Sequence, residues 1–226
     1  MKLLIISFLF ILFSVSIQAQ DFSTADQELF FMPTAYTMPQ GASYLNFPEL
    51  FFINYSYAVT PSTHIGLFSI FPVIKDFTSF LTVGAKQNYL KLFPSASSDH
   101  IFQSALFTTY SPVAGLFTLG NVVSIGKYSH SLHLGLSFIK YKDYTPNAFF
   151  ILIGYRIDPF KWLSLISEYT NVKSKVDMNF YGGLLTFGIR VRPGETTALE
   201  IAALKILTDS EKHILFPFIK MSIYFK

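Results

Sequence analysis

Leu184-Leu185-Thr186-Phe187-Gly188-Ile189-Arg190-Val191-Arg192 is the stretch on which the fold turns. Successive side chains of an extended strand point to opposite faces. Leu185, Phe187, Ile189 and Val191 therefore share one face, and Leu184, Thr186, Gly188, Arg190 and Arg192 share the other. The same period of two recurs elsewhere. Leu132, Leu134, Leu136 and Phe138 alternate with His133, Gly135 and Ser137, and Ile151, Ile153, Tyr155 and Ile157 alternate with Leu152, Gly154 and Arg156. Nearer the start, Ile53, Tyr55, Tyr57 and Val59 alternate with Asn54, Ser56 and Ala58. The chain is read as strands.

Alternation alone does not say which face meets water. A soluble sandwich buries its apolar face, whereas a membrane barrel turns that face to lipid and lines its lumen with the polar one. The predicted strands run to ten residues or more, longer than the usual five or six. Their polar faces are rich in Gly, Ser and Thr and poor in Lys and Glu, which suits a crowded interior. Aromatics gather near strand ends, as at Tyr55 and Tyr57, Tyr141 and Tyr144, and Tyr224 and Phe225, where interfacial girdles belong. These features favour the barrel.

Composition agrees. Of 226 residues, 51% are hydrophobic, 18% aromatic and only 14% charged, against about 25% charged in an average soluble domain. The net charge of +3, with no basic run longer than two residues, argues against a nucleic-acid partner. The absence of cysteine excludes a disulfide framework, a cysteine metal site and a lipid anchor on cysteine. Met1-Lys2, the apolar run Leu3 to Ser16 and Ala19-Gln20-Asp21 read as a secretory signal cut after Ala19 or Gln20. The run is shorter than the roughly 20 residues of a membrane helix. Two later charge-free windows, Leu50 to Ile74 and Ile101 to Gly126, carry Pro61, Ser62 and Gly66, and Ser111, Pro112 and Gly115. Turn residues at such places split each window into two strands, because a lipid-facing helix cannot leave its backbone unpaired there.

The expected fold is all-β: an antiparallel up-and-down transmembrane β-barrel of about twelve strands, between 41–48 and 213–225, after an N-terminal signal peptide. Ten is the lower bound, since Pro48 allows the first two strands to be one bent strand. Residues 1–19 are assigned to the signal peptide, 20–40 to a periplasmic lead-in and 41–226 to the barrel. An even count puts both ends in the periplasm, with periplasmic turns at Thr60 to Ser62, Tyr128 to His130, Asp158 to Lys161 and Pro193 to Thr196, and a longer link over 92–99. Outward loops are expected around Lys75-Asp76, Lys142 to Pro146, Lys173 to Asp177 and Thr208 to Lys212. Their shortness argues against a large plug or a loop-built receptor surface.

Phe225, Ile223, Met221 and Ile219 lie on one face of the last segment. This resembles the terminal strand by which outer-membrane barrels are recognised for assembly, although Lys226 follows the aromatic. Phe31-Met32-Pro33-Thr34-Ala35-Tyr36-Thr37-Met38-Pro39-Gln40-Gly41 and Phe51 to Thr60 resemble the start of uncharacterised outer-membrane β-barrel proteins of Bacteroidota-type bacteria. That resemblance covers about a quarter of the chain. It implies a cell outer-membrane location, with outer-membrane lipid and the barrel assembly machinery as partners, and it brings no catalytic residues.

No cofactor is expected. The outer-membrane phospholipase has twelve strands and a His-x-Ser pairing followed by Asn, which this chain lacks. Ser131 and His133 share a strand face, but no nearby carboxylate or Asn on that face orients the imidazole. His130 and His133 have helical rather than strand spacing for a metal, and His64, His100 and His213 are scattered. The candidate functional residues are charges on predicted inward faces: Lys86, Arg156, Glu168, Arg190, Arg192, Glu200 and Lys220. They are expected either to pair across a filled lumen or to form a net-positive constriction favouring anions. On the strand above, Ile189→Arg is expected to be worse than Arg190→Leu. The leading functional reading is a non-enzymatic barrel, as a narrow passive channel or a structural element. The alternatives are a subunit docked to other outer-membrane proteins and a lipid-modifying enzyme.

Overall fold

The computed structural model describes residues 25–70, 80–92, 101–142, 148–174, 183–207 and 215–226. The signal peptide, most of the expected outward loops, the 92–99 link beyond Leu92, His100 and His213 lie outside them. The described residues form twelve strands: β1 Ser43–Pro48, β2 Phe52–Thr60, β3 Thr63–Ile70, β4 Thr82–Leu92, β5 Ile101–Ser111 and β6 Leu116–Lys127, then β7 His130–Tyr141, β8 Ala148–Phe160, β9 Leu163–Ser174, β10 Gly183–Val191, β11 Thr197–Leu207 and β12 Leu215–Phe225. Each strand pairs antiparallel with its sequence neighbours, and β1 closes on β12 with Ser43 opposite Phe225 and Pro48 opposite Lys220. Closure gives each described strand a hydrogen-bonded neighbour on both sides.

The barrel is inside out relative to a soluble protein. Leu132, Leu134 and Leu136 on β7, Ile153 and Tyr155 on β8, and Phe187 on β10 are exposed on the outer wall. Their strand neighbours His133, Arg156 and Arg190 are at most 1% exposed. Large aromatics ring the rim opposite the C-terminus, among them Phe51, Phe80, Tyr110, Tyr141 and Phe149. Phe160, Trp162 and Phe225 stand at the C-terminal rim. A wall of this kind, about 10 residues per strand with aromatics at both ends, matches the apolar band of an outer-membrane-type barrel.

The first two strands are separate. Glu49 and Leu50 take left-handed backbone angles, φ 51° and 59°, and turn the chain straight after Pro48. Most turns of this kind use Asn or Gly, so the sequence carried no strong signal. Pro159, expected in a turn, lies inside β8, where the pairing with β9 shifts between Ile157 and Phe160. Such an irregularity tolerates a residue that cannot donate to the ladder.

The largest departure concerns residues 20–40, expected as a periplasmic lead-in. The described part, from Ala25, lies inside the barrel, where Ala25, Leu29, Ala35, Tyr36 and Met38 are wholly buried. The chain folds back on itself, with Leu29 N–H donating to Met32 O at 2.9 Å and Thr34 N–H to Gln27 O at 3.0 Å. It then reaches β1 through Gly41 N–H to Ala58 O, 2.9 Å. Leu29, Phe30, Met32 and Ala35 pack against inward-facing Ala105, Val122, Leu152, Ile166, Ala202 and Phe218. Full burial of a side chain such as Leu, Phe or Met contributes about 1.5–3 kcal/mol. The short loops leave room for a plug of another origin, the chain's own N-terminal segment.

Candidate functional site: the occupied lumen

An irregular segment inside a barrel brings backbone N–H and C=O groups that need partners. The inward charges supply them. Glu168, on β9, takes N–H donors from Phe30 at 2.6 Å and from Phe31 and Met32 at 3.2 Å. Lys86, on β4, donates to the carbonyls of Gln27, Thr34 and Tyr36 at 3.0, 3.2 and 2.7 Å. Arg190, on β10, spans Ala25 O, Glu28 O and Leu29 O, each at 2.9 Å. Lys220, on β12, donates to Leu29 O and Phe30 O, also at 2.9 Å. Four wall residues thus hold the main chain of one short loop.

Register explains why they converge. Arg190 lies opposite Glu200, and Glu200 opposite Lys220, so the three form a row across β10, β11 and β12. Glu200 accepts from Arg190 Nε at 2.9 Å and lies 3.0 Å from Lys220 Nζ. Nearer the C-terminal rim a second cluster clamps Asp26. Arg156 Nη1 lies 2.6 Å and Arg192 Nη2 3.4 Å from its carboxylate, and Asp158 faces both arginines at 3.3 and 3.7 Å. Arg156 also donates to Tyr128 O. Glu28 accepts from Tyr44 and Asn46 and pairs with Lys220 at 3.0 Å.

All seven charges named from the sequence face inward, and the structure brings them together around the segment. The sequence reading missed Asp26 and Glu28, which it placed outside the barrel, and Asp158, which it placed in a turn. With them, the cations Lys86, Arg156, Arg190, Arg192 and Lys220 face the carboxylates Asp26, Glu28, Asp158, Glu168 and Glu200. These carboxylates offset most of the positive excess on which an anion-favouring constriction depended, and a further cation near the segment, Lys91, donates to Thr37 Oγ1 at 3.3 Å. A signal for the plug did exist: Val122, Leu152, Ile166 and Phe218 fall on faces that a water-filled lumen would keep polar.

His133 sits between two hydroxyls, Ser124 Oγ at 2.7 Å from Nδ1 and Ser131 Oγ at 2.9 Å from Nε2. Ser124 Oγ also accepts Ala35 N–H at 2.8 Å. All three side chains are wholly buried. Through Ser124, the set helps to hold the segment at Ala35. His64 likewise accepts Met38 N–H through Nε2 at 2.8 Å. Among the described residues no group of three His, Cys, Asp or Glu is placed to hold a metal ion.

No family model matches the chain. No curated protein matches it either. Among solved structures, LpxR from Salmonella typhimurium is similar, with a TM-score of 0.39 and 9% identity, over 81% of this chain and 99% of that one. No residue role is transferred from it.

Proposed function

We propose that this chain is a non-enzymatic β-barrel of a bacterial outer membrane, closed by its own N-terminal segment. Of the two forms of the leading expectation, the occupied lumen favours the closed structural barrel over the narrow passive channel. The observation that carries this is the use of the inward charges: Lys86, Glu168, Arg190 and Lys220 each hold the backbone of residues 25–36. Ions crossing the barrel would have to displace a segment held by more than ten hydrogen bonds, several of them charge-assisted.

The apolar outer wall and its aromatic rims support a membrane site, and the resemblance of residues 31–41 and 51–60 to Bacteroidota-type barrels supports the outer membrane. In this orientation the rim carrying the C-terminus faces the periplasm. Planar-bilayer recording tests the reading. The full-length protein should be electrically silent, and Glu168→Ala, which strands three backbone donors, should produce intermittent openings. Steady ohmic conductance of the unaltered protein would overturn it.

A further inference from the structure

The outer wall carries an amide at the depth least suited to one. Asn121 lies midway along the twelve residues of β6, on the outward face it shares with Leu119 and Val123. Across the ladder it stands between Leu106 and Leu136, which are 46% and 65% exposed. Mid-strand is the middle of the apolar band, where a polar group finds no water. Ile153 on β8, Phe187 on β10, Ile201 on β11 and Ile219 on β12, at comparable positions of the same wall, are apolar.

Two neighbours engage the amide. The pairing of β4 with β5 shifts between Asn88 and Leu90, and Tyr89 is the extra residue. A bulge re-aims a side chain, and the Tyr89 ring, 50% exposed, reaches across β5 to β6. Asn121 Nδ2 donates to Tyr89 Oη at 2.8 Å, and Ser104 Oγ, on β5, donates to the same oxygen at 2.7 Å. The Tyr89 hydroxyl accepts in both contacts and donates in neither. Asn121 Oδ1 meets only the Ser104 hydroxyl, at 3.4 Å, and the single Ser104 hydrogen also has Tyr89 Oη at 2.7 Å and Val122 O at 3.4 Å. The cluster thus leaves an O–H donor beside a carbonyl acceptor on a wall that faces hydrocarbon.

We infer that this patch is the contact surface of a homodimer, in which the Tyr89 hydroxyl of each copy donates to Asn121 Oδ1 of the other. Copies inserted in one membrane share an orientation. A two-fold axis along the bilayer normal therefore sets each residue opposite its counterpart at equal depth. A donor beside an acceptor is self-complementary under that rotation. Lipid chains offer neither group, whereas a second copy presents both at the matching depth. Exposed Leu106, Leu119 and Leu136 surround the polar pair with apolar contact area. The inference rests on the membrane reading and is independent of whether the lumen is closed.

Energy transfer between full-length copies labelled at Lys226→Cys tests this, since the chain has no other cysteine. In phosphatidylcholine vesicles, transfer should rise to saturation with the protein-to-lipid ratio. Association should weaken at least tenfold in Asn121→Leu and in Tyr89→Phe. Both changes remove a polar atom from a lipid-facing wall, so the folded gel band should persist. In outer membranes, a benzophenone attached to Leu119→Cys should give a product of twice the chain's mass. Transfer no greater than chance proximity at every ratio overturns the inference, as does association unchanged in either variant. Benzophenone adducts with lipid or another protein alone overturn it too. In each of these cases the embedded, folded protein leaves the membrane reading standing. Protein that does not enter vesicles overturns both.

Discussion

Replacing Arg190 by Leu should destabilise the protein more than replacing its neighbour Ile189 by Arg, the reverse of the order the sequence suggests. Arg190 is wholly buried, pairs with Glu200 at 2.9 Å and donates to three segment carbonyls. Removing one partner of a buried ion pair costs about 3–5 kcal/mol, and the orphaned carbonyls add to that until water or a rotated segment satisfies them. Ile189 is on the outer wall, two residues from Val191, the end of β10. At about 3.3 Å per residue and a tilt near 40°, that is about 5 Å of depth in an apolar band about 25 Å tall. An arginine there reaches the interface by extending its stem. Its cost should be about 1–2 kcal/mol, below the midplane figure of about 2–4 kcal/mol. Urea titration in lipid vesicles, read by the folded and unfolded gel bands, measures both. A gap of about 2 kcal/mol corresponds to roughly a thirtyfold difference in folding equilibrium. If Arg190→Leu is within about 0.5 kcal/mol of the unaltered protein while Ile189→Arg is clearly worse, the segment is not held as described.

Three further outcomes are expected. Gly154→Leu puts a side chain where Leu29 and Met32 pack, so limited proteolysis should cut the N-terminal segment faster while the barrel band stays intact. A cysteine at Leu134, exposed on the outer wall, should react with a lipid-soluble maleimide, whereas one at Ser164, wholly buried in the lumen, should resist a water-soluble reagent until Glu168 is replaced by Ala. In cells the protein should fractionate with the outer membrane, begin at Gln20 or Asp21 and migrate anomalously on gels unless boiled; recovery from the periplasm in soluble form would refute the membrane assignment.

The strands were legible because period-two patterning is local: the faces read on β7, β8 and β10 are the faces observed, and the strand limits shift by only a few residues. The direction of the seven charges followed from the same parity. Their purpose did not, because Lys86, Glu168, Arg190 and Lys220 bind main-chain groups, which leave no mark on the identity of the residues they hold. The segment itself, from Asp26 to Met38, has neither alternation nor helical period and so reads as a linker. Only the apolar exceptions on inward faces, Val122, Leu152, Ile166 and Phe218, hinted at something dry inside.

The grip of Lys220 on Leu29 and Phe30 joins positions 191 and 190 residues apart. Closing so long a loop is entropically costly, and the contact forms only when β12 is in place. Before that, Glu200 lacks one cation and the carbonyls of Leu29 and Phe30 lack Lys220. The first described segment and the last strand are therefore fastened in the same late event. Seating the segment at Lys220 therefore waits on the last strand, whereas the wall itself closes through the backbone ladder of β1 and β12.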